Sequence, residues 1–268
     1  MDVVRILQLT DLHVFAEPGT CLKGIPTRES LQEVVRWIRE HEGRFDHVII
    51  TGDHTHDERP ESYQAVRDIL SPWLDQLWQV PGNHDDREVL RSVFTAVNHG
   101  QDSPTQSRPD AFIQFRFQTG NWLCIGLDTH LPGEVSGLIR EEQVTQLKSD
   151  LQNSPATRVA LFFHHPPVDV NSVWMDLIGL AGRELLQNVV QEDPRIRLIC
   201  CGHVHHELET TLHQTLVVTT PSTGIQFDPQ GTHPTFAAAA PGYRIIEFRG
   251  DDLTTRVGRL PHVRYVPE

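Results

Sequence analysis

Five short polar motifs each follow an apolar run directly. Asp11-Leu12-His13 follows residues 6–9, and Gly52-Asp53 follows residues 48–50. Gly82-Asn83-His84-Asp85 follows residues 77–80. His164-His165-Pro166-Pro167 follows residues 159–163, and Gly202-His203-Val204-His205-His206 follows residues 196–200. Their donors are carboxylate and amide oxygens and imidazole nitrogens, with no thiolate among them. Such a set suits Mn, Fe, Co, Ni or Zn in high coordination and not a tetrahedral thiolate site. There are more donors than one ion takes, and one carboxylate shared between two ions would use them all. Two ions about 3.5–4 Å apart clamp the oxygens of a phosphoryl group and hold a water between them as hydroxide. The chemistry indicated is hydrolysis of a phosphate ester.

Each motif also has a plain structural reading. An Asp at a strand end caps a turn or helix, and a lone His there is a hydrogen-bonded or surface residue. Gly-Asn-His-Asp is a turn, and His-His-Pro-Pro is a rigid polar loop. Those readings would have to hold at five strand ends together. The glycines before Asp53, Asn83 and His203 fit tight turns that bring backbone close to a site.

The elements between the motifs must position them. Leu31, Val34, Val35 and Ile38 recur at helical spacing, and Gly43 suits the stop of that helix. Pro60 opens a second helix with Tyr63, Val66 and Leu70 inward. Val89, Leu90, Val93 and Val97 mark a third. Alternation at Ile113, Phe115 and Phe117, then a Gly120-Asn121 turn into residues 122–127, predicts a hairpin. Val144, Leu147 and Leu151, and later residues 185–190, give two more helices. After Glu207 the pattern reads as antiparallel β. Apolar strands alternating with helices predict an α/β fold of mixed sheets covered by helices. Ligands collect at the carboxyl ends of strands in such folds. No linker is evident, so residues 1–268 are expected to form one domain with an antiparallel β-rich part from about residue 207.

Composition narrows the partners. The chain has 268 residues, 23 Lys plus Arg against 36 Asp plus Glu, and a formal net charge of −13. That balance disfavours a grip on polymeric nucleic acid, although bound cations can reverse the local field for a small phosphate. No apolar run reaches the roughly 18 residues of a membrane span. The N-terminus has no basic region followed by an apolar stretch, which makes the cytoplasm the default location. Four cysteines without C-x-x-C spacing point to neither a disulfide framework nor a thiolate site.

The ordered set D-x-H, G-D, G-N-H-D, H-H-P-P and G-H-V-H resembles the calcineurin-like metallophosphoesterases. The likeness extends to RILQLTDLH (5–13), the helix after Thr27, CGHVHHEL (201–208), TPSTGIQFD (220–228) and PGYRIIE (241–247). In these segments the chain is similar to the bacterial class III 3′,5′-cyclic AMP phosphodiesterase type of that family. The resemblance implies a four-layer sandwich, two mixed sheets face to face with helices outside. It implies one metal on Asp11, His13, Asp53 and His205, and another on Asp53, Asn83, His164 and His203. Asp53 would bridge, and His164 rather than His165 would be the ligand of that pair. Iron and manganese are the leading metals it suggests, with zinc, cobalt and nickel also admitted.

On the same basis, a metal-bridging hydroxide would attack a cyclic nucleotide in line and release 5′-AMP, with Asp53 and His84 as catalytic residues. Asn83, His84 and His205, with Arg87, Ser222 and Thr223, would meet the substrate. Asp85 would orient His84. His54, where the family has an apolar residue, is expected with His56 and His206 to be a solvated loop residue. The alternatives are a broader phosphodiesterase acting on glycerophosphodiesters or small nucleotides, a hydrolase of lipid-linked pyrophosphate, and a binding protein on an inactive scaffold. A homo-oligomer remains open.

Overall fold

The computed structural model describes residues 3–95 and 111–268. Eleven strands and five helices carry its frame. They are, in chain order, β1 (Val4–Leu9), α1 (Thr27–His41), β2 (His47–Thr51), α2 (Pro60–Ile69), β3 (Leu77–Val80), α3 (Arg87–Val93), β4 (Phe115–Thr119), β5 (Trp122–Gly126), α4 (Glu141–Gln152), β6 (Arg158–Phe162), α5 (Arg183–Glu192), β7 (Ile196–Cys201), β8 (Leu208–Leu212), β9 (Thr215–Thr219), β10 (Gly242–Arg249) and β11 (Asp252–Arg259). The α3 residues end at Val93, and Val97 lies outside the described residues.

The strands form a five-stranded sheet, β11-β10-β1-β2-β3, and a six-stranded sheet, β8-β9-β7-β6-β5-β4. Their apolar residues divide by face, as side chains two apart on a strand must. Ile6 of β1 packs with Ile49, Phe162, Leu198 and Ile246 in a core drawn from both sheets. Leu7 and Leu9 point the other way, onto Leu31, Val34 and Ile38 of α1 and Tyr63 and Val66 of α2. On the second sheet, Leu161, Ile199 and Val217 face Val144 and Leu147 of α4 and Leu186 of α5. The order of layers is helices, sheet, sheet, helices.

Within each sheet the central strands run parallel. β1, β2 and β3 are parallel neighbours, and so are β5, β6, β7 and β9. The carboxyl ends of β1, β2 and β3 therefore lie along one edge, and those of β6 and β7 along the facing edge.

The region after Glu207 is β-rich and antiparallel in both its hairpins, with one parallel pairing besides. Its strands are shared between the sheets. β8 and β9 form a hairpin, but β9 pairs parallel with β7. β10 and β11 form the second hairpin, on the far side of β1. Alternation marks a strand and a turn marks a hairpin, but neither fixes which older strand the hairpin joins.

Candidate metal centre

The loops after β1, β2 and β7 hold their side chains by unusual backbone. Among the described residues nine non-glycine positions have positive φ, and Asp11, His13, Asp53, His203 and His205 are five of them. Each such conformation costs on the order of 1–3 kcal/mol and persists only where the surroundings enforce it. Here the loops bond to each other: Asp11 N–H donates to Gly52 O at 3.0 Å, and Leu12 and His13 N–H donate to Asp53 O at 2.8 and 3.0 Å. Gly52 has φ +99°, and a Cβ there would stand 2.5 Å from His164 Nδ1 and 2.7 Å from Gly82. A Cβ on Gly82 would collide with the Asp53 carboxylate. These two glycines let the loops close on each other.

The donors converge around Asp53. Its Oδ1 accepts the His84 N–H at 2.8 Å. Its Oδ2 lies 3.4 Å from His13 Nε2 and 3.4 Å from His164 Nε2. On one side, the ligand atoms of Asp11, His13, Asp53 and His205 all lie within 4.8 Å of one another. On the other, Asn83 Oδ1 lies 3.2 Å from His164 Nε2 and 3.1 Å from His203 Nδ1.

These contacts set lone pair against lone pair. His164 Nδ1 bonds Thr51 O, His203 Nε2 bonds Ile178 O and His205 Nδ1 bonds Ile225 O. A carbonyl only accepts, so each of those nitrogens carries the proton. The other nitrogen of each neutral ring is bare and aimed inward. His13 and His205 bring their Nε2 atoms to 3.1 Å. Buried acceptors facing one another need a cation or a proton between them. The residues therefore fit two metal ions, with one carboxylate oxygen placed between the two donor groups.

Protonation fits as well. Burial opposes ionisation of Asp53, but His164 and His13 hold its carboxyl well below the usual carboxylate range. Burial pushes His13 well down, and burial with the neighbouring His164 pushes His203 to about 3. Those two rings are ready as neutral ligands. For His164, burial is outweighed by Asp53 and Asp11, which raise it to about 9. Without a cation it holds a proton against Asp53, and a bound cation would take that proton's place.

His165 lies beside His164 and His203, with ligand atoms within 4.8 Å of one another, but both of its ring nitrogens have other partners. Its Nδ1 pairs with Thr129 Oγ1 at 2.9 Å and its Nε2 with Val135 O at 3.0 Å. The two prolines alone could not tell these neighbouring histidines apart.

Several expectations are corrected. The Asp85 carboxylate makes no hydrogen bond to His84 among the described residues. Its carboxylate accepts from the Gly82 and His54 N–H groups, Tyr63 OH and His54 Nδ1. His54 is fully buried, with Nε2 at 3.1 Å from Gln79 Oε1. It is a strut behind the Asp53 loop and not a solvated residue. His206 is also buried, with Nδ1 on Val204 O. Arg87 is buried in a two-pronged ion pair with Asp128 at 2.7 and 2.8 Å and also donates to His130 O. Its guanidinium braces the loop after β5 and is not presented to a ligand.

Ser222 and Thr223 are fully buried too. Ser222 Oγ donates to Asp11 O at 2.6 Å and accepts from Gly224 N–H at 2.9 Å. It braces the first metal loop from behind and offers no hydroxyl to a nucleotide. Ser222→Ala leaves both buried groups without that partner and is expected to lower stability by about 1–3 kcal/mol. Urea denaturation measures this, and an unchanged midpoint would contradict the bracing role. Helical and strand periodicity reveal burial of whole elements but say little about a loop residue's exposure, so these polar side chains read as surface.

The donor set and its layers are those of a dinuclear metal site held between two sheets. The chain belongs to the calcineurin-like phosphoesterases: the model of that family, described as calcineurin-like phosphoesterase, matches residues 4–207. It is 32% identical over 266 residues to the 3′,5′-cyclic adenosine monophosphate phosphodiesterase CpdA of Escherichia coli strain K12, across 99% of this chain and 93% of that one. It is 31% identical over 261 residues to the protein of the same name from Pseudomonas aeruginosa, across 97% and 91%. A dimetal phosphatase from Danio rerio has the same fold, with a TM-score of 0.65 at 19% identity, covering 94% of this chain and 98% of that one. No helix among the described residues is long and apolar enough to cross a membrane.

Proposed function

We propose that this chain is a dinuclear-metal phosphodiesterase that hydrolyses 3′,5′-cyclic AMP to 5′-AMP. The observation that carries the reading is Asp53 Oδ2, set 3.4 Å from a donor of each cluster. One cluster is Asp11, His13 and His205, and the other is Asn83, His164 and His203. The full-length likeness to curated cyclic AMP phosphodiesterases supports the substrate. Iron and manganese are the metals we propose first, and the cytoplasm the location.

Two bound ions would supply a nucleophile from water near neutral pH and neutralise the phosphate oxygens. The chain's own part is positional. The carbonyls of Thr51, Ile178 and Ile225 hold three imidazoles in the tautomer that points a lone pair inward. The His84 N–H fixes Asp53 Oδ1, which leaves Oδ2 for the shared position. His84 presents its half-buried ring beside His13, with centroids 5.0 Å apart. From there it donates a proton to the departing 3′ oxygen as water oxygen joins phosphorus and the P–O3′ bond breaks.

One observation favours a second reading, a phosphodiesterase of broader range. With Ser222 and Arg87 buried and engaged in support, and Thr223 fully buried, none of the side chains expected to read the nucleoside is offered to it. Rates on cyclic AMP, cyclic GMP, glycerophosphocholine and bis(p-nitrophenyl) phosphate, measured on enzyme loaded with defined metals, separate the two. We expect kcat/KM for cyclic AMP to exceed that for the other natural diesters by at least about tenfold, a difference of about 1.4 kcal/mol in transition-state binding. Equal values would establish the broader reading, and no hydrolysis of any diester would overturn both.

A further inference from the structure

Three of the four candidate histidine ligands are steadied in one way. His164, His203 and His205 each bond a main-chain carbonyl through the nitrogen that points away from the centre. His13 departs from that pattern. Its Nε2 faces Asp53 and His205, and its outer Nδ1 lies 3.2 Å from Nδ1 of His56. We propose that His56 is the positioning residue of His13, accepting its Nδ1–H and so holding Nε2 toward the metal. The proposal rests on the reading of the centre as a two-metal site.

The tautomers follow from the geometry. If His13 offers a lone pair inward from Nε2, its proton is on Nδ1, and the atom facing that proton must accept. His56 then has a bare Nδ1 and a proton on Nε2. The backbone holds His56 in place for this. Thr55 bridges to Val14, and His56 N–H donates to Val14 O at 3.1 Å, so residues 54–56 run beside residues 13–15. The ring is confined as well. It stacks on His84 at 4.7 Å and 21°, and Phe15 lies against it at 4.9 Å. One half-buried side chain thus touches both a candidate ligand and the residue that would meet the phosphate. Gly-Asp-x-x-His has no metal-ligand spacing of its own, which is why His56 reads from the sequence as a solvated loop residue.

Two substitutions separate the acceptor from the ring. His56→Phe keeps a ring to stack on His84 but removes the acceptor, leaving the His13 Nδ1–H buried without a partner. His56→Asn loses the ring but places Oδ1 at the same branch position as Nδ1. The test titrates Co²⁺ into metal-free full-length protein and reads the visible absorption and dissociation constant of each site. Wild type is expected to bind two ions. His56→Phe should weaken one of the two by about 10–100-fold, the usual cost of losing a partner behind a ligand, and broaden that site's absorption. His56→Asn should restore wild-type affinity at that site. His56→Phe binding both ions like wild type would overturn the proposal, and so would His56→Asn binding as weakly as His56→Phe. Wild type that bound fewer than two ions would instead overturn the reading of the centre itself.

Discussion

Replacing Asp53 by alanine is expected to abolish tight binding of metal and phosphodiesterase activity together. The fall in kcat/KM should be at least on the order of 10³-fold, beyond the 10²–10³ lost with a single stabilising donor. The reason is the position of one oxygen. Oδ2 lies 3.4 Å from His13 Nε2 and 3.4 Å from His164 Nε2, so both donor clusters lose the carboxylate they share when Asp53 goes. What remains on one side is Asp11 with two imidazoles, and on the other Asn83 with two imidazoles and no carboxylate. A neutral triad holds a divalent ion poorly, because nothing there offsets the charge brought out of water. Asp53 also accepts the His84 N–H through Oδ1, so the Gly82-Asn83-His84 turn loses an anchor in the same substitution. Asp53→Asn separates these effects. It keeps an oxygen for the His84 N–H and removes only the charge, so the turn should stay in place while the metal is still lost. Metal content by elemental analysis after gel filtration, with rates on bis(p-nitrophenyl) phosphate, checks both variants. Two ions retained in Asp53→Asn would mean that the carboxylate is not shared.

Much of this centre could be read from the chain because its candidate ligands sit at strand ends. The apolar runs before Asp11, Asp53, Asn83, His164 and His203 announce buried parallel strands. Parallel strands share a direction, so their polar ends must meet at one edge. The strands themselves were legible for the same reason: Ile6 and Ile49 face one layer while Leu7 and Val48 face another. What lay behind the ligands was not legible. His54, Asp85, Arg87 and Ser222 are polar residues in loops, and a loop has no period from which burial can be inferred. Their burial depends on tertiary pairs, 31 residues apart for His54 with Asp85, 41 for Arg87 with Asp128 and 211 for Ser222 with Asp11. Each partner satisfies a group that would otherwise be costly to bury. The same holds for β9: its apolar run Leu216-Val217-Val218 reads as a buried strand, but its parallel neighbour, β7, is chosen by packing and not by the turn before it.

His84→Ala is expected to keep both metals and lose about 10²–10⁴ in kcat on cyclic AMP, the range for a general acid or base. His84 is beside Asn83 in sequence but differs from it in position. Asn83 Oδ1 points at His164 and His203. The His84 backbone N–H is tied to Asp53, whereas its ring nitrogens make no hydrogen bond among the described residues. The ring is half-buried, edge-on to His13 at 5.0 Å and stacked on His56 at 4.7 Å. It is held by its ring contacts, and its polar edge is the part we propose meets a substrate oxygen. Removing it takes away no inward-facing lone pair of the metal clusters, so metal content should match wild type. The loss should also depend on the leaving group. The 3′ alkoxide of a ribose is strongly basic and needs a proton as its bond to phosphorus breaks, while p-nitrophenolate leaves without one. A general acid therefore matters more for cyclic AMP than for bis(p-nitrophenyl) phosphate. His84→Ala should lose at least about tenfold more on the first substrate than on the second, a difference of about 1.4 kcal/mol in transition-state stabilisation. Equal losses on both would mean that His84 binds the phosphate without protonating the departing oxygen. Metal lost as badly as in His164→Ala would make His84 a ligand, and its place outside the two clusters would then be wrong.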